Sequence, residues 1–142
     1  MRALLLRHAS AGDRRRWEGD DRLRPLDDEG RRQAEALAGV LAELGTHPLY
    51  SSPALRCVQT LEPASALLGL PIETRHELAV DARRDDALAL LGGVTAALPT
   101  LCTHRELIEQ LLPGRECEKG AIWVVDVDGG DVRPERYLPP PA

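Results

Sequence analysis

The chain has no phenylalanine, and its single lysine is Lys119. Aromatic side chains amount to only 3% of its 142 residues, so leucine, alanine and valine must fill any core. We read the near-exclusive use of arginine as compositional bias rather than chemistry. Cysteine is scarce: Cys57, Cys102 and Cys117 are odd in number and form no C-x-x-C pair. That excludes a disulfide framework and a zinc knuckle and suits a reducing cytoplasm. No histidine or cysteine spacing proposes a metal, and no cofactor is implied. The apolar run Leu4–Leu6 between Arg2 and Arg7 is too short for a signal peptide or a membrane span. A net charge of -5 excludes a general nucleic-acid binder. The expectation is a single cytoplasmic domain over 1–142, with neither membrane nor nucleic acid as partner.

What is present is alternation. Leu4–Leu6 predicts a buried strand, followed by a polar loop over 10–24. Asp27 as cap, Asp28 and Glu29 in the first turn and Gly45 at the end frame a helix. Its Ala34, Leu37, Leu41 and Leu44 share one face. Leu49 and Tyr50 form a short strand. Ser52 then reads as an N-cap and Pro53 as the first residue of a helix, bent or restarted at Pro63 and closing at Gly69. "LPIET" is a strand, Asp85 to Leu91 a short helix, "LPTLCTH" a buried strand and "RELIEQLL" a helix. "AIWVVDVDGGDVRPERYL" reads as a hairpin turning at Asp128-Gly129. The pattern predicts an α/β three-layer sandwich with a mostly parallel central sheet.

Three segments end a strand on a basic or imidazole residue: "LLLRH" (Arg7, His8), "YSSPALR" (Arg56) and "LCTHRE" (His104). Ligands of open α/β sheets lie beyond the carboxyl ends of the strands, where helix N-termini also point. Arg56 falls in a first helical turn, where an acid is preferred. It needs a nearby anion, a partner such as Glu62 or Asp27, or solvent. His8 alone fits a structural role equally well.

Together these segments resemble the histidine phosphatase superfamily, with its phosphoglycerate-mutase-like fold. "LLLRHAS" is similar to the Arg-His-Gly motif that ends the family's first strand, with Ala9 in place of the glycine. "SSPALRCVQT" resembles the Ser-Pro-x-x-Arg-x-x-x-Thr pattern, and "CTHREL" the segment of the second histidine. Within the superfamily, "DDRLRPLDDEG" and the chain length resemble phosphohistidine phosphatases of the SixA type. "GDDRLRPLDDEGRRQAEAL" and "EKGAIWVVD" resemble the C-terminal domain of two-domain Nudix hydrolases.

The resemblance implies a cofactor-independent phosphatase. His8 would be the nucleophile, a neutral imidazole whose second nitrogen is held to fix the tautomer. Arg7, Arg56 and His104 would grip the phosphoryl oxygens. Ser10, Asp21, Arg24 and Lys119 are candidate substrate-binding residues, although a loop ion pair accounts equally for Asp21 and Arg24. For the general acid, Glu77 is the first candidate by order, ahead of Asp81; a surface carboxylate is the bland alternative. Arg105 would either crowd a substrate or grip one.

The segment after the third strand is too short for a large cap subdomain and predicts an open pocket. A phosphorylated protein carrying phosphohistidine is the first expected substrate, because a neutral imidazole leaves without a strong acid. A nucleotide or small phosphomonoester is the alternative, as is a non-catalytic phosphate-binding module partnering a Nudix-type enzyme. "DRRRWEGDD" reads as a solvated loop rimming an anion pocket, and "DVDGGD" as a turn rather than a calcium loop.

Overall fold

The structure is a computed structural model that describes residues 1–141. Its strands are β1 (Arg2–Arg7), β2 (Leu49–Ser51), β3 (Ile72–Thr74), β4 (Thr100–Thr103), β5 (Ile122–Asp128) and β6 (Asp131–Leu138). The helices are α1 (Asp28–Leu44), α2 (Leu55–Leu68), α3 (Arg84–Gly92) and α4 (Arg105–Leu111). One sheet runs β3-β2-β4-β1-β5-β6. Its first four strands are parallel, and β5 and β6 add an antiparallel hairpin.

Period-two alternation in β1 decides the layers. Leu4 and Leu6 face α1 and α2, joining Leu37, Leu41, Cys57 and Leu61. Ala3 and Leu5 face the other side, joining Leu90, Leu101, Leu107 and Ile108 of β4, α3 and α4. Both faces of β1 are therefore covered, as a parallel sheet requires. The result is the expected three-layer α/β sandwich with a mostly parallel sheet. No large cap interrupts it: the stretch 75–83 between β3 and α3 holds a single 3-10 turn, His76–Leu78.

Local readings differ from the structure in three places. Asp27 caps α1, accepting from the Gly30 N–H at 2.8 Å, and Gly45 ends it at φ 71° as expected. Ser52, however, does not cap α2, whose N-cap is Ala54. The Ser52 hydroxyl oxygen accepts from the Ala54 N–H at 3.2 Å and turns toward a histidine instead. The second helix also runs unbroken through Pro63. The hairpin turns at Gly129-Gly130, one residue later than expected, with Asp128 paired to Asp131. Gly129 supplies the positive φ of 61° there. All three cysteines are buried and free.

Candidate active site

The register of two strands builds the centre of the site. Parallel strands β1 and β4 pair Arg7 with Thr103, so the next residue of each strand is a histidine. Neighbouring strands lie about 4.8 Å apart, and the His8 and His104 ring centroids accordingly sit 5.5 Å apart, inclined at 63°. The His8 N–H donates to the Thr103 carbonyl at 3.1 Å, which continues the ladder one step into the loop.

His8 Nδ1 lies 2.8 Å from the Ala9 carbonyl oxygen. A carbonyl only accepts, so the neutral ring carries its proton on Nδ1 and leaves the Nε2 lone pair free. Burial lowers the His8 pKa to about 3, with the charges of Arg56 and Arg7 and the neighbouring His104 acting in the same direction. The Ala9 hydrogen bond works the other way and is outweighed. Ala9 itself is buried at negative φ, and its N–H donates to Thr60 Oγ1 at 3.0 Å, so the missing glycine leaves the loop unstrained.

The low pKa has a stability consequence. Because folded His8 stays neutral, the unfolded chain binds an extra proton between about pH 6.5 and 3. Acid therefore favours unfolding across that window, and above it the effect vanishes. On urea unfolding at pH 7 and pH 4, wild type is expected to lose more stability than His8→Asn. Equal losses would show that His8 titrates normally.

His104 is held from two sides. Ser52 Oγ stands 2.8 Å from its Nε2 and Arg56 Nη2 3.4 Å from its Nδ1. Arg56 is only 3% exposed. Its partner is Asp21, not Glu62 or Asp27: Nη1 donates to the Asp21 carbonyl at 2.8 Å and Nη2 to the carboxylate at 3.1 Å. The same carboxylate receives Arg24 Nε at 3.0 Å. Burial raises the Asp21 pKa, yet the Arg24 hydrogen bond and the charges of Arg56, Arg24 and Arg14 together bring it below its ordinary value. Arg7 donates through Nη1 to the Cys117 carbonyl at 2.8 Å. The Nε atoms of Arg7 and Arg56 are buried with no protein partner.

These groups open into a cavity of about 440 Å³ lined by Arg7, His8, Arg24, Arg56, His104 and Lys119. Asp13 and Arg14 of the 10–24 loop and Arg105 and Glu106 of α4 also border it. The Asp13, Arg105 and Glu106 side chains are roughly half exposed, so the mouth reaches solvent.

Three sequence candidates lie elsewhere. Glu77 does not border the cavity; Arg75 Nη2 holds its carboxylate at 2.7 Å, and that hydrogen bond keeps its pKa below the usual range. A general acid needs the opposite shift. Asp81 does not border the cavity either. The Ser10 hydroxyl is spent on Asp27, to which it donates at 2.8 Å, and it faces a separate depression with Lys119. Asp13 and Arg14 begin the stretch read from sequence as rimming an anion pocket, but sequence reasoning missed Ser52 and Glu106. Ser52 carried a signal, its place inside the Arg56 motif, and the cap reading absorbed it.

A sequence profile of the Histidine phosphatase superfamily (branch 1) matches residues 3–79, more than half of the chain. The chain belongs to this superfamily. Among curated proteins, the 8-oxo-(d)GTP phosphatase of Mycolicibacterium smegmatis is 36% identical over 157 aligned positions, 97% of this chain. The chain spans about half of that relative, 48% of its length. Among solved structures, the protein histidine phosphatase SixA complexed with tungstate superposes with a TM-score of 0.81 at 26% identity. That match covers 99% of this chain and 97% of the other. A SixA structure from Agrobacterium tumefaciens gives 0.78 at 26% identity, covering 98% and 97%. Membership in the histidine phosphatase superfamily supports phosphatase activity. Among the described residues no helix is long and apolar enough to cross a membrane.

Proposed function

We propose that the protein is a cofactor-independent phosphatase in which His8 accepts the phosphoryl group and passes it to water. The observation that carries this reading is the free Nε2 of a neutral, buried His8, set among Arg7, Arg56 and His104. In-line attack by Nε2 on phosphorus forms an N–P bond as the leaving group departs with its electron pair. Water then attacks the phosphohistidine, releasing orthophosphate and restoring the imidazole. Charge on the three equatorial oxygens is met by guanidinium forks that burial has already desolvated. The unpartnered Nε atoms of Arg7 and Arg56 are donors that a bound phosphoryl group would satisfy. Asp21 keeps Arg56 and Arg24 in place. Lys119 and Arg105, at the mouth, meet the rest of the substrate.

The acid is the site's weak point: Glu77 is bound to Arg75, and the carboxylates that do border the cavity, Asp13 and Glu106, stand about half exposed at its mouth. This favours donors whose leaving group departs unprotonated. Protein phosphohistidine meets that requirement, and the likeness to SixA structures supports it. A nucleotide phosphoanhydride meets it as well, and the Mycolicibacterium relative supports that second reading. The test is phosphate release from a histidine-phosphorylated protein, a nucleoside diphosphate and an alkyl phosphate side by side. The alkyl ester is expected to be the slowest by about 100-fold, the contribution of one missing general acid. Equal turnover of all three would mean that an acid is at work.

A further inference from the structure

Next to the phosphoryl cradle lies a second cavity of about 300 Å³, which shares Gly12, Asp13 and Arg24 with it. Its other walls are mainly Ala11, Trp17, Pro25 and Leu26. The chain has only two tryptophans, two tyrosines and no phenylalanine. Trp123 and Tyr137 pack on each other at 4.8 Å, and the Tyr50 ring lies beneath Arg75 at 6.0 Å. Trp17 has no aromatic or cationic partner on its ring among the described residues and remains 38% exposed. It is held in place nonetheless: its indole Nε1 donates to the Asp20 carbonyl at 2.9 Å. Arg14, the residue after the shared Asp13, lines the cradle with no ion-pair partner among the described residues.

We propose that this groove is the base subsite for a nucleoside 5′-diphosphate whose terminal phosphoryl group occupies the cradle. The proposal rests on the His8 reading above and commits to the nucleotide among its two donor classes. A nucleoside diphosphate presents, in order, a terminal phosphoryl group, a second anion, a sugar and a planar ring. The site holds the His8 cradle with Arg14 in its lining and, beside it and sharing Gly12, Asp13 and Arg24, an apolar groove with an anchored indole. A small phosphomonoester leaves the groove unused. In a phosphohistidine protein the ring bonded to the phosphorus stays at the cradle, and only a neighbouring residue of that protein would reach the groove.

The step balances without a co-reactant. His8 Nε2 bonds to the β-phosphorus, the bridging P–O bond breaks, and the nucleoside monophosphate leaves with the electron pair. Water then replaces nitrogen on phosphorus, its proton passing to solvent with release of orthophosphate.

The test compares kcat/KM for a nucleoside diphosphate with that for inorganic pyrophosphate, which has the same anhydride and no base. In Trp17→Ala the nucleotide-to-pyrophosphate ratio is expected to fall about tenfold, in the range set by stacking on an aromatic platform. The fall is expected in KM rather than kcat, and Trp17→Phe is expected to restore most of it. Titrating the nucleoside monophosphate product should quench wild-type indole fluorescence and leave Trp17→Phe unquenched. An unchanged ratio in Trp17→Ala overturns the base subsite. If wild type hydrolyses a histidine-phosphorylated protein but no nucleotide, the subsite falls and the His8 chemistry stands. If it hydrolyses none of these donors, the proposed function itself falls.

Discussion

His8→Ala is expected to lower phosphate release by about 10⁴-fold or more on every substrate the wild type accepts, the scale of loss when a nucleophile is removed. The fold should survive, because the His8 side chain makes only the one hydrogen bond to Ala9 and its backbone N–H stays on Thr103. Circular dichroism would check this. The variant keeps Arg7, Arg56, Arg24 and His104, so binding of phosphate or vanadate should persist. That pairing of lost turnover with retained binding separates a nucleophile from a structural histidine. It also bears on the rival reading of a phosphate-binding module, which requires that wild type bind phosphate yet turn nothing over. Residual activity above a tenth of wild type would remove His8 from the mechanism.

Gly30→Ala is expected to destabilise the protein by about 3 kcal/mol, at the upper end of overpacking costs, and to lower Tm by ~10 °C. In a helix, replacing glycine with alanine normally stabilises by about 1 kcal/mol. At Gly30 the sign reverses, because a Cβ would fall 1.9 Å from the Ser10 carbonyl oxygen and 2.9 Å from its carbon. Those are backbone atoms of the loop that follows His8, and the same Ser10 oxygen accepts the Asp27 N–H at 3.1 Å. The helix and the nucleophile loop therefore touch through a missing side chain. Gly39 provides the control: it lies on the same helix, exposed, with nothing within 4 Å of a Cβ. Gly39→Ala is expected to stabilise by about 1 kcal/mol. Thermal unfolding of both variants measures the contrast, and equal Tm values would contradict the close approach.

Gly30 also marks a limit of what the sequence reveals. Alternation and caps point to α1 and its buried face, but a contact between residues 10 and 30 has no periodic signature. The layers were legible because Leu4–Leu6 is a continuous apolar run, as a strand covered on both faces requires, and every parallel strand is followed by a helix. Segments ending in Arg7, His8, Arg56 and His104 were legible because strand ends collect ligand groups in such a sheet, and the family resemblance placed them in order. The convergence of the two histidines depended on the Arg7–Thr103 register, which no local pattern encodes. Glu77 shows the opposite failure. Its chain position suits an acid, but Arg75, two residues away, takes up the carboxylate. Ser52 reads as a helix cap because serine before proline commonly is one; His104, distant in sequence, claims its hydroxyl. The partner of Arg56 was misjudged for the same reason, since Asp21, singled out only as a substrate-binding candidate, reaches it from 35 residues away in the chain.

The most direct test of the account is to trap the reaction intermediate. Wild-type protein would be mixed with a substrate it turns over and quenched within milliseconds under alkaline conditions, which preserve phosphohistidine. The digested peptides would then be sequenced by mass spectrometry. The account predicts one phosphorylated peptide, the one that contains His8, with the phosphoryl group on His8 and no such species in His8→Ala. Phosphate on His104, or full turnover with no phosphoenzyme at any quench time, would contradict it.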